Sequence, residues 1–327
     1  GRAAGARENC AQHETLASAP QPGTVAQSAR IPILSRSKHQ LSNMLIRGHR
    51  AVRLGPLRPP AVPRPPLVLI GGTAQWIESW TGHLKALARQ RQVLLYETRG
   101  QGGATSSLDV SCCDLRTHAE DFAAVVEAGL DEHLLNAPVD VCGFSFGGRV
   151  ALAAAAAGEG PRIRRLCLTG VSADRGQRGR LALQSWKASL SAEDLAGFAW
   201  RLVLDTHSNA YLAEHEAQVP GWVRAIVEAN SSAGLRALVE QTHTEQPGDR
   251  YHPSVMAARS RAAGAVEAGL VIAGTDDIMA PPDASRTLAE EGGWQFLEVA
   301  GAAHAVPIEQ AVAWRRAVIG FLDAPVP

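Results

Sequence analysis

Residues 139–150 read Val139-Asp140-Val141-Cys142-Gly143-Phe144-Ser145-Phe146-Gly147-Gly148-Arg149-Val150, and an Ala-rich run continues to Ala157. Val139 and Val141 are β-branched and mark a short strand. The Ala-rich run marks a helix. Between them, Gly143-Phe144-Ser145-Phe146-Gly147 is a G-x-S-x-G pattern at a strand turning sharply into a helix, the setting that gives the pattern meaning. A serine on so tight a turn sits in a strained backbone conformation. Side chains two residues to either side would collide across the turn, which is a physical reason for the glycines. The helix that follows points free N–H groups and a positive dipole end at the serine oxygen. The stretch therefore predicts a reactive Ser145.

Outward from this turn, strands and helices alternate. Leu41–Arg47 and Ala51–Leu57, separated by Gly48-His49, read as an opening hairpin, and the Pro-rich stretch 56–66 as a connection. Leu67–Ile70 and Val93–Tyr96 are expected strands. Trp76–Arg89 and Asp114–Gly129 carry helical spacing, with Asp114 as a capping residue. After the Val139–Cys142 strand comes another at Ile163–Thr169, with Arg164 and Arg165 near its start. The alternation stops after Gly170. Residues 171–266 read as mainly helical, over Leu181–Leu190, Leu195–Leu204, Val219–Ala229 and Leu235–Val239. It resumes with strand Leu270–Ala273, helix 283–290, strand Trp294–Val299 and a closing helix Pro307–Leu322. This order predicts an α/β fold, a mostly parallel sheet covered by helices on both faces. The core is expected over 41–170 and 267–323, and an inserted helical cap or lid over 171–266.

The 327 residues are enough for one large domain with an insertion. No uninterrupted apolar run approaches about 18 residues, so no transmembrane helix is expected. The net charge of zero hides an asymmetry of +8 over residues 1–77 and −8 over the rest. Residues 1–40 are basic, rich in Ala, Ser, Gln and Pro, and poor in hydrophobic periodicity; they read as a leader outside the folded core. An organelle transit peptide and a tail without an address both fit it, although the chain begins with Gly1. The leader lacks interleaved aromatics and Arg clusters, so no nucleic-acid partner is expected. The five cysteines (Cys10, Cys112, Cys113, Cys142, Cys167) form no C-x-x-C pair and no metal spacing. Their odd number without a framework points to a reducing compartment. The expectation is a soluble intracellular protein, in a plastid or mitochondrion if the leader is an address and otherwise cytoplasmic. It would have no cofactor and no metal, and its oligomeric state is not legible.

A serine hydroxyl is a poor nucleophile at neutral pH and needs a base, usually a histidine held by a carboxylate. Where the serine sits on such an elbow, the expected chain order is serine, acid, histidine. Gly274-Thr275-Asp276-Asp277-Ile278-Met279-Ala280-Pro281 follows the strand Leu270–Ala273, and Gly301-Ala302-Ala303-His304 follows the strand ending at Val299. On these motifs the chain resembles the α/β-hydrolase superfamily over roughly residues 41–323. In that family the acid loop commonly reads G-x-x-D-x-x-x-P, which implies Asp277 as the acid rather than Asp276. The G-x-x-H loop implies His304 as the base. The resemblance implies an oxyanion hole of backbone N–H groups, which by position belong to Thr73 and Phe146. Gly71-Gly72 stands where the family often has a histidine-glycine pair. The family's D-x-R-G-x-G appears altered as Glu97-Thr98-Arg99-Gly100-Gln101-Gly102, with Arg99 read as structural.

The resemblance implies a serine hydrolase that cleaves a carboxylic ester, thioester or amide through an acyl-enzyme. Its partner would be a small-molecule substrate, an apolar ester, with Phe144 and Arg149 beside it. Several rival readings stand next to this one. Asp276 and Asp277 also read as a solvated turn pair, and Asp174 is a rival acid. His83, His118, His207 and His243 read as surface or packing residues. Trp76, Trp80, Trp186, Trp200 and Trp222 are candidates for an acyl pocket, with core or cap packing the better account of most. Gly143 to Arg149 is also similar to the G-[YF]-S-x-G-G-R stretch of menaquinone-pathway lyases, which eliminate pyruvate from a cyclohexene carboxylate. That similarity draws attention to Arg149, and to Arg175, Arg178 and Arg180 as further carboxylate ligands or a solvated turn. A third reading is a catalytically silent family member acting as receptor or scaffold.

Overall fold

A computed structural model describes residues 40–56, 64–106, 108–130, 138–158, 160–243, 246 and 248–325. The expected leader, apart from Gln40, lies outside the described residues, as does most of the Pro-rich connection. The chain builds an eight-stranded sheet in the order β1-β2-β4-β3-β5-β6-β7-β8. The strands are β1 Gln40–Ile46, β2 His49–Gly55, β3 Leu67–Ile70, β4 Val93–Tyr96, β5 Val139–Phe144, β6 Ile163–Thr169, β7 Val266–Gly274 and β8 Gln295–Val299. β1 and β2 pair antiparallel, β2 runs antiparallel to β4, and every pairing from β4 to β8 is parallel.

The opening hairpin is present, but its turn falls at Arg47-Gly48 rather than at Gly48-His49. Both residues have positive φ (50° and 85°), the requirement of a two-residue turn that matches the twist of its strands. His49, expected in the turn, begins β2 and is fully buried, with Nδ1 2.9 Å from the Glu97 carbonyl.

The central strands are buried on both faces, which explains their unbroken apolar character. Val68, Ile70, Leu94, Val141, Leu166 and Leu168 face one layer with α2 (Leu115–Gly129) and α3 (Phe146–Ala157). Leu67, Leu69, Val93, Leu95, Cys142 and Cys167 face the other, with α1 (Thr81–Leu87). Asp114 caps α2 by accepting from the Thr117 N–H at 2.8 Å, as its position implied.

Between β6 and β7 come α4 (Gly176–Ser191), α5 (Leu195–Thr206), α6 (Asn209–Glu214), α7 (Val219–Ala229), α8 (Ser232–Thr242) and α9 (Pro253–Ala262). α9 packs on α3 and on α10 (Pro282–Gly292), so it belongs to the layer over the sheet. β7 begins at Val266, earlier than expected, because its pairing with β6 starts at Ile163–Val266. The expected helix from Trp76 opens as a 3-10 turn over Ile77–Trp80 and ends at Leu87. The closing helix is two, α11 (Val306–Glu309) and α12 (Ala311–Asp323), broken at Gln310, whose φ of −120° and ψ of 48° are not helical.

Candidate active site

β5 delivers Ser145 onto the turn into α3. Its φ of 51° and ψ of −116° lie in a region that non-glycine residues rarely occupy, costing of order 1–3 kcal/mol. The neighbouring backbone makes the glycines obligatory. A Cβ on Gly143 would stand 2.5 Å from the Gly148 Cα, and one on Gly147 would stand 2.4 Å from the Ile70 carbonyl oxygen. The Ser145 N–H is tied to the Thr169 carbonyl at 2.7 Å, which fixes the elbow against β6.

The loops after β7 and β8 bring Asp277 and His304 to this serine. His304 Nε2 lies 2.8 Å from Ser145 Oγ, and His304 Nδ1 lies 2.9 Å from Asp277 Oδ2. Asp277 Oδ1 accepts the N–H groups of Met279 and Ala280, each at 2.8 Å. Both carboxylate oxygens are thereby engaged, with Asp277 3% and His304 2% exposed, so the imidazole is held in one orientation away from water. Asp276 is exposed, and its backbone N–H turns back to the Ala302 carbonyl. The rival acid Asp174 is also exposed and pairs with Arg180 at 2.7 Å. Asp277, rather than either rival, is the acid that meets His304.

Thr73 and Phe146 flank the serine on the loop after β3 and at the start of α3. The N–H of Gly72 donates to Gln75 Oε1 at 2.7 Å, and that of Ala74 to Gln101 Oε1 at 2.8 Å. Gln101 also donates to the Gly72 carbonyl at 3.0 Å and to Thr98 Oγ1 at 2.8 Å. The two glutamine side chains thus fix the backbone on either side of Thr73, a role that sequence reasoning did not find. Glu97 accepts from the Ile77 and Gly103 N–H groups and from Arg50, while Arg99 pairs with Asp121 at 2.8 Å. The altered D-x-R-G-x-G stretch is therefore a bracing network beside the site.

Two cavities meet at Ser145. One, ≈ 400 Å³, is lined largely by apolar groups that include Phe144, Trp76, Trp186, Leu202, Trp222 and Ile226. His207, expected as a surface or packing residue, lines it and stacks on Tyr211 and Trp222; burial lowers its pKa. Trp80 instead packs in the core beside Phe144 and Trp314, and Trp200 is 40% exposed. Phe146 is buried edge-on against His118. The second cavity, ≈ 290 Å³, is lined by polar and charged groups that include Arg149, Arg175, Arg180, Lys187 and His243. Here the reading of His243 as a surface or packing residue is corrected. Its Nδ1 lies 2.7 Å from Arg149 Nη1 and 3.0 Å from Arg175 Nη2, a junction of three segments far apart in sequence. Arg178 is exposed and does not join it. Among the described residues no group of three or more His, Cys, Asp or Glu is placed to hold a metal ion.

Residues 65–311 match the family model described as alpha/beta hydrolase fold. The chain belongs to the alpha/beta hydrolase family. The solved structures that this hydrolase-family chain resembles include the enol-lactonase from Burkholderia xenovorans LB400, with a TM-score of 0.69 and 21% identity over 86% of this chain and 100% of that one. A hydrolase from Pseudomonas aeruginosa PA01 has a TM-score of 0.68 and 25% identity over 87% and 98%. MenH from S. aureus has a TM-score of 0.63 and 16% identity over 84% and 97%. No curated protein matches the sequence. The family and these neighbours support a hydrolase or a related enzyme, and no helix among the described residues is long and apolar enough to cross a membrane.

Proposed function

We propose that this chain is a serine hydrolase that cleaves a carboxylic ester, with Ser145 as nucleophile, His304 as general base and Asp277 as the carboxylate that orients the base. The observation that carries the reading is the continuous hydrogen-bonded line Asp277–His304–Ser145, of which His304 and Ser145 line an apolar cavity. His304 takes the hydroxyl proton as Ser145 Oγ attacks the ester carbonyl. The N–H groups of Thr73 and Phe146 receive the developing oxyanion, each worth about 3 kcal/mol of barrier. Neither N–H has an acceptor among the described residues, while the N–H groups of Gly72, Ala74 and Ser145 do. Collapse of the tetrahedral intermediate breaks the ester C–O bond, and the leaving alkoxide takes the proton from His304. Water, deprotonated by His304, then attacks the acyl-enzyme and releases the acid.

Phe144 and the tryptophans of the apolar cavity support an apolar group on the substrate. Replacing Ser145 by Ala is expected to abolish hydrolysis of short p-nitrophenyl esters, and undiminished turnover in that variant would refute the reading. A second reading is favoured by Arg149, which is buried and lines the polar cavity at the serine. In it the same residues act as a base on carbon and eliminate pyruvate from a cyclohexene carboxylate. Release of pyruvate from that substrate, with no cleavage of esters, is the result that would prefer it. The silent-scaffold reading meets an obstacle, because all three side chains stand within hydrogen-bonding distance.

A further inference from the structure

The loop after β3 is a four-residue turn, closed by the Gln75 N–H on the Gly72 carbonyl at 3.2 Å. Ala74, its third residue, has a φ of 61°, a position and sign that favour glycine. A residue with a Cβ keeps that conformation only where its surroundings enforce it. Ala74 is gripped at both ends. Its N–H donates to Gln101 Oε1 at 2.8 Å, and its carbonyl accepts from Asn230 Nδ2 at 3.1 Å. Gln101 belongs to the segment after β4. Asn230 ends α7, among the helices between β6 and β7, and lies 156 residues from Ala74.

Both polar atoms of the Asn230 amide are engaged. Oδ1 accepts the Gly102 N–H at 3.0 Å, and Nδ2 also donates to the Ile226 carbonyl at 2.9 Å. These partners fix which way the amide faces, because a flipped amide would set N–H against N–H at Gly102 and oxygen against oxygen at Ala74 and Ile226. Closing the end of α7 would need only the bond to Ile226. The Asn230 backbone is extended (φ −129°), not the left-handed form that draws asparagine to helix ends, and α8 is capped by Ser231 instead. The two remaining bonds reach the turn that carries Thr73 and the segment that braces it. The junction is tightly packed as well: a Cβ on Gly100 would stand 2.8 Å from the Gly234 carbonyl oxygen in α8. α7 also lines the apolar cavity, through Trp222, Ala225 and Ile226. One helix thus walls the cavity and ends on the turn that carries Thr73.

We propose that Asn230 is a positioning residue for the oxyanion hole: through it α7 holds the Gly72–Gln75 turn in the conformation that aims the Thr73 N–H. The hole is then complete only while α7 is seated on this turn. The proposal rests on the esterase reading, in which Thr73 donates to the oxyanion, and Asn230 acts through Ala74 rather than on the substrate.

The test compares the unaltered protein with Asn230→Ala, Asn230→Asp and, as a control on the same helix, Glu228→Ala, whose side chain is exposed. With p-nitrophenyl hexanoate, Asn230→Ala is expected to lose about tenfold or more in kcat while KM stays within about twofold, because the hole matters as charge develops. Asn230→Asp should fall as far, since a carboxylate still accepts from Gly102 but has no hydrogen for the Ala74 carbonyl. Hydrogen exchange over residues 71–76, read by mass spectrometry, should speed up about tenfold or more in both Asn230 variants and not in Glu228→Ala. Thermal melting shows which variants are folded, and either Asn230 variant carries the test without the other. Unfolding of both would assign Asn230 to stability and overturn the proposal. Full kcat in either folded Asn230 variant, or a loss confined to KM, overturns it too. If the unaltered protein cleaves no ester while exchange still speeds up, the hydrolase reading fails and the hold on the turn stands. If esters are cleaved and the Asn230 variants change neither kcat nor exchange, the hold fails and the hydrolase reading stands.

Discussion

Local geometry sets the roles of single residues at the site. Gly147 touches the Ile70 carbonyl so closely that a methyl group there has no space. Gly147→Ala is expected to cost roughly 3 kcal/mol or more, read from the denaturant midpoint. This constraint was legible in the pattern itself, since the turn is completed within a few residues. Asp277 and His304 were legible for a related reason: each sits on the loop directly after a strand, and strand ends on one side of a parallel sheet converge. An asparagine at 277 would keep the oxygen that accepts from Met279 and Ala280 but offer an amide to His304. Asp277→Asn is therefore expected to fold normally while turnover falls by about 10⁴-fold, because the imidazole is left in the wrong tautomer. A loss of less than tenfold in steady-state kinetics would exclude Asp277 as the orienting acid. His243 was not legible in the same way. It lies 94 residues from Arg149 and 68 from Arg175, and nothing in its own neighbourhood announces either partner.

Among the elements, the loop after β3 and the segment after β4 work as one unit. Gln101 reaches back to Gly72 and Ala74 and, with Gln75, holds the backbone around Thr73. If Thr73 donates to the oxyanion, Gln101→Ala should lower kcat by about tenfold or more and leave KM little changed, since the lost alignment matters most when charge develops. Equal falls in kcat for Gln101→Ala and a surface glutamine control would argue against this role. In the stretch containing Gln101 the sequence drew attention only to Arg99 as structural, because side-chain reach across 27–29 residues has no periodic signature. The helices between β6 and β7 were legible as a class from their apolar spacing. Their end was not, because α9 shows little of that spacing and packs on α3 and α10. We take the cap proper to be the helices from α4 to α8.

Across the whole molecule, buried charge and buried histidine set how the fold responds to its surroundings. Asp140, at the base of the strand that bears Ser145, is fully buried between Arg91 (2.9 Å) and Arg164 (2.6 Å), and Arg91 also pairs with Asp323 at the end of α12. Asp140→Ala leaves two guanidiniums without their shared partner, and the expected loss is about 3–5 kcal/mol of unfolding free energy in denaturant titration. His83 and His118 are buried neutral. Burial lowers each from 6.5 to about 4, helped in His83 by Arg315 and in His118 by Arg99. Between those values the unfolded chain binds more protons than the folded one, so stability is full above about pH 6.5 and declines as pH falls toward 4. The melting temperature should therefore drop clearly from pH 7 to pH 5, and His118→Gln should make that slope shallower. The sheet order that brings these groups together follows from strand–helix alternation visible along the chain. The charge network does not, since Arg164 and Arg165 read only as the start of a strand.

Active-site labelling reads out whether Ser145 is the nucleophile. Incubation with a fluorophosphonate followed by peptide mass spectrometry is expected to place the adduct on Ser145 and to give no adduct in the Ser145→Ala and His304→Ala proteins. Label on another residue, or none on the intact protein, would contradict Ser145 as the nucleophile.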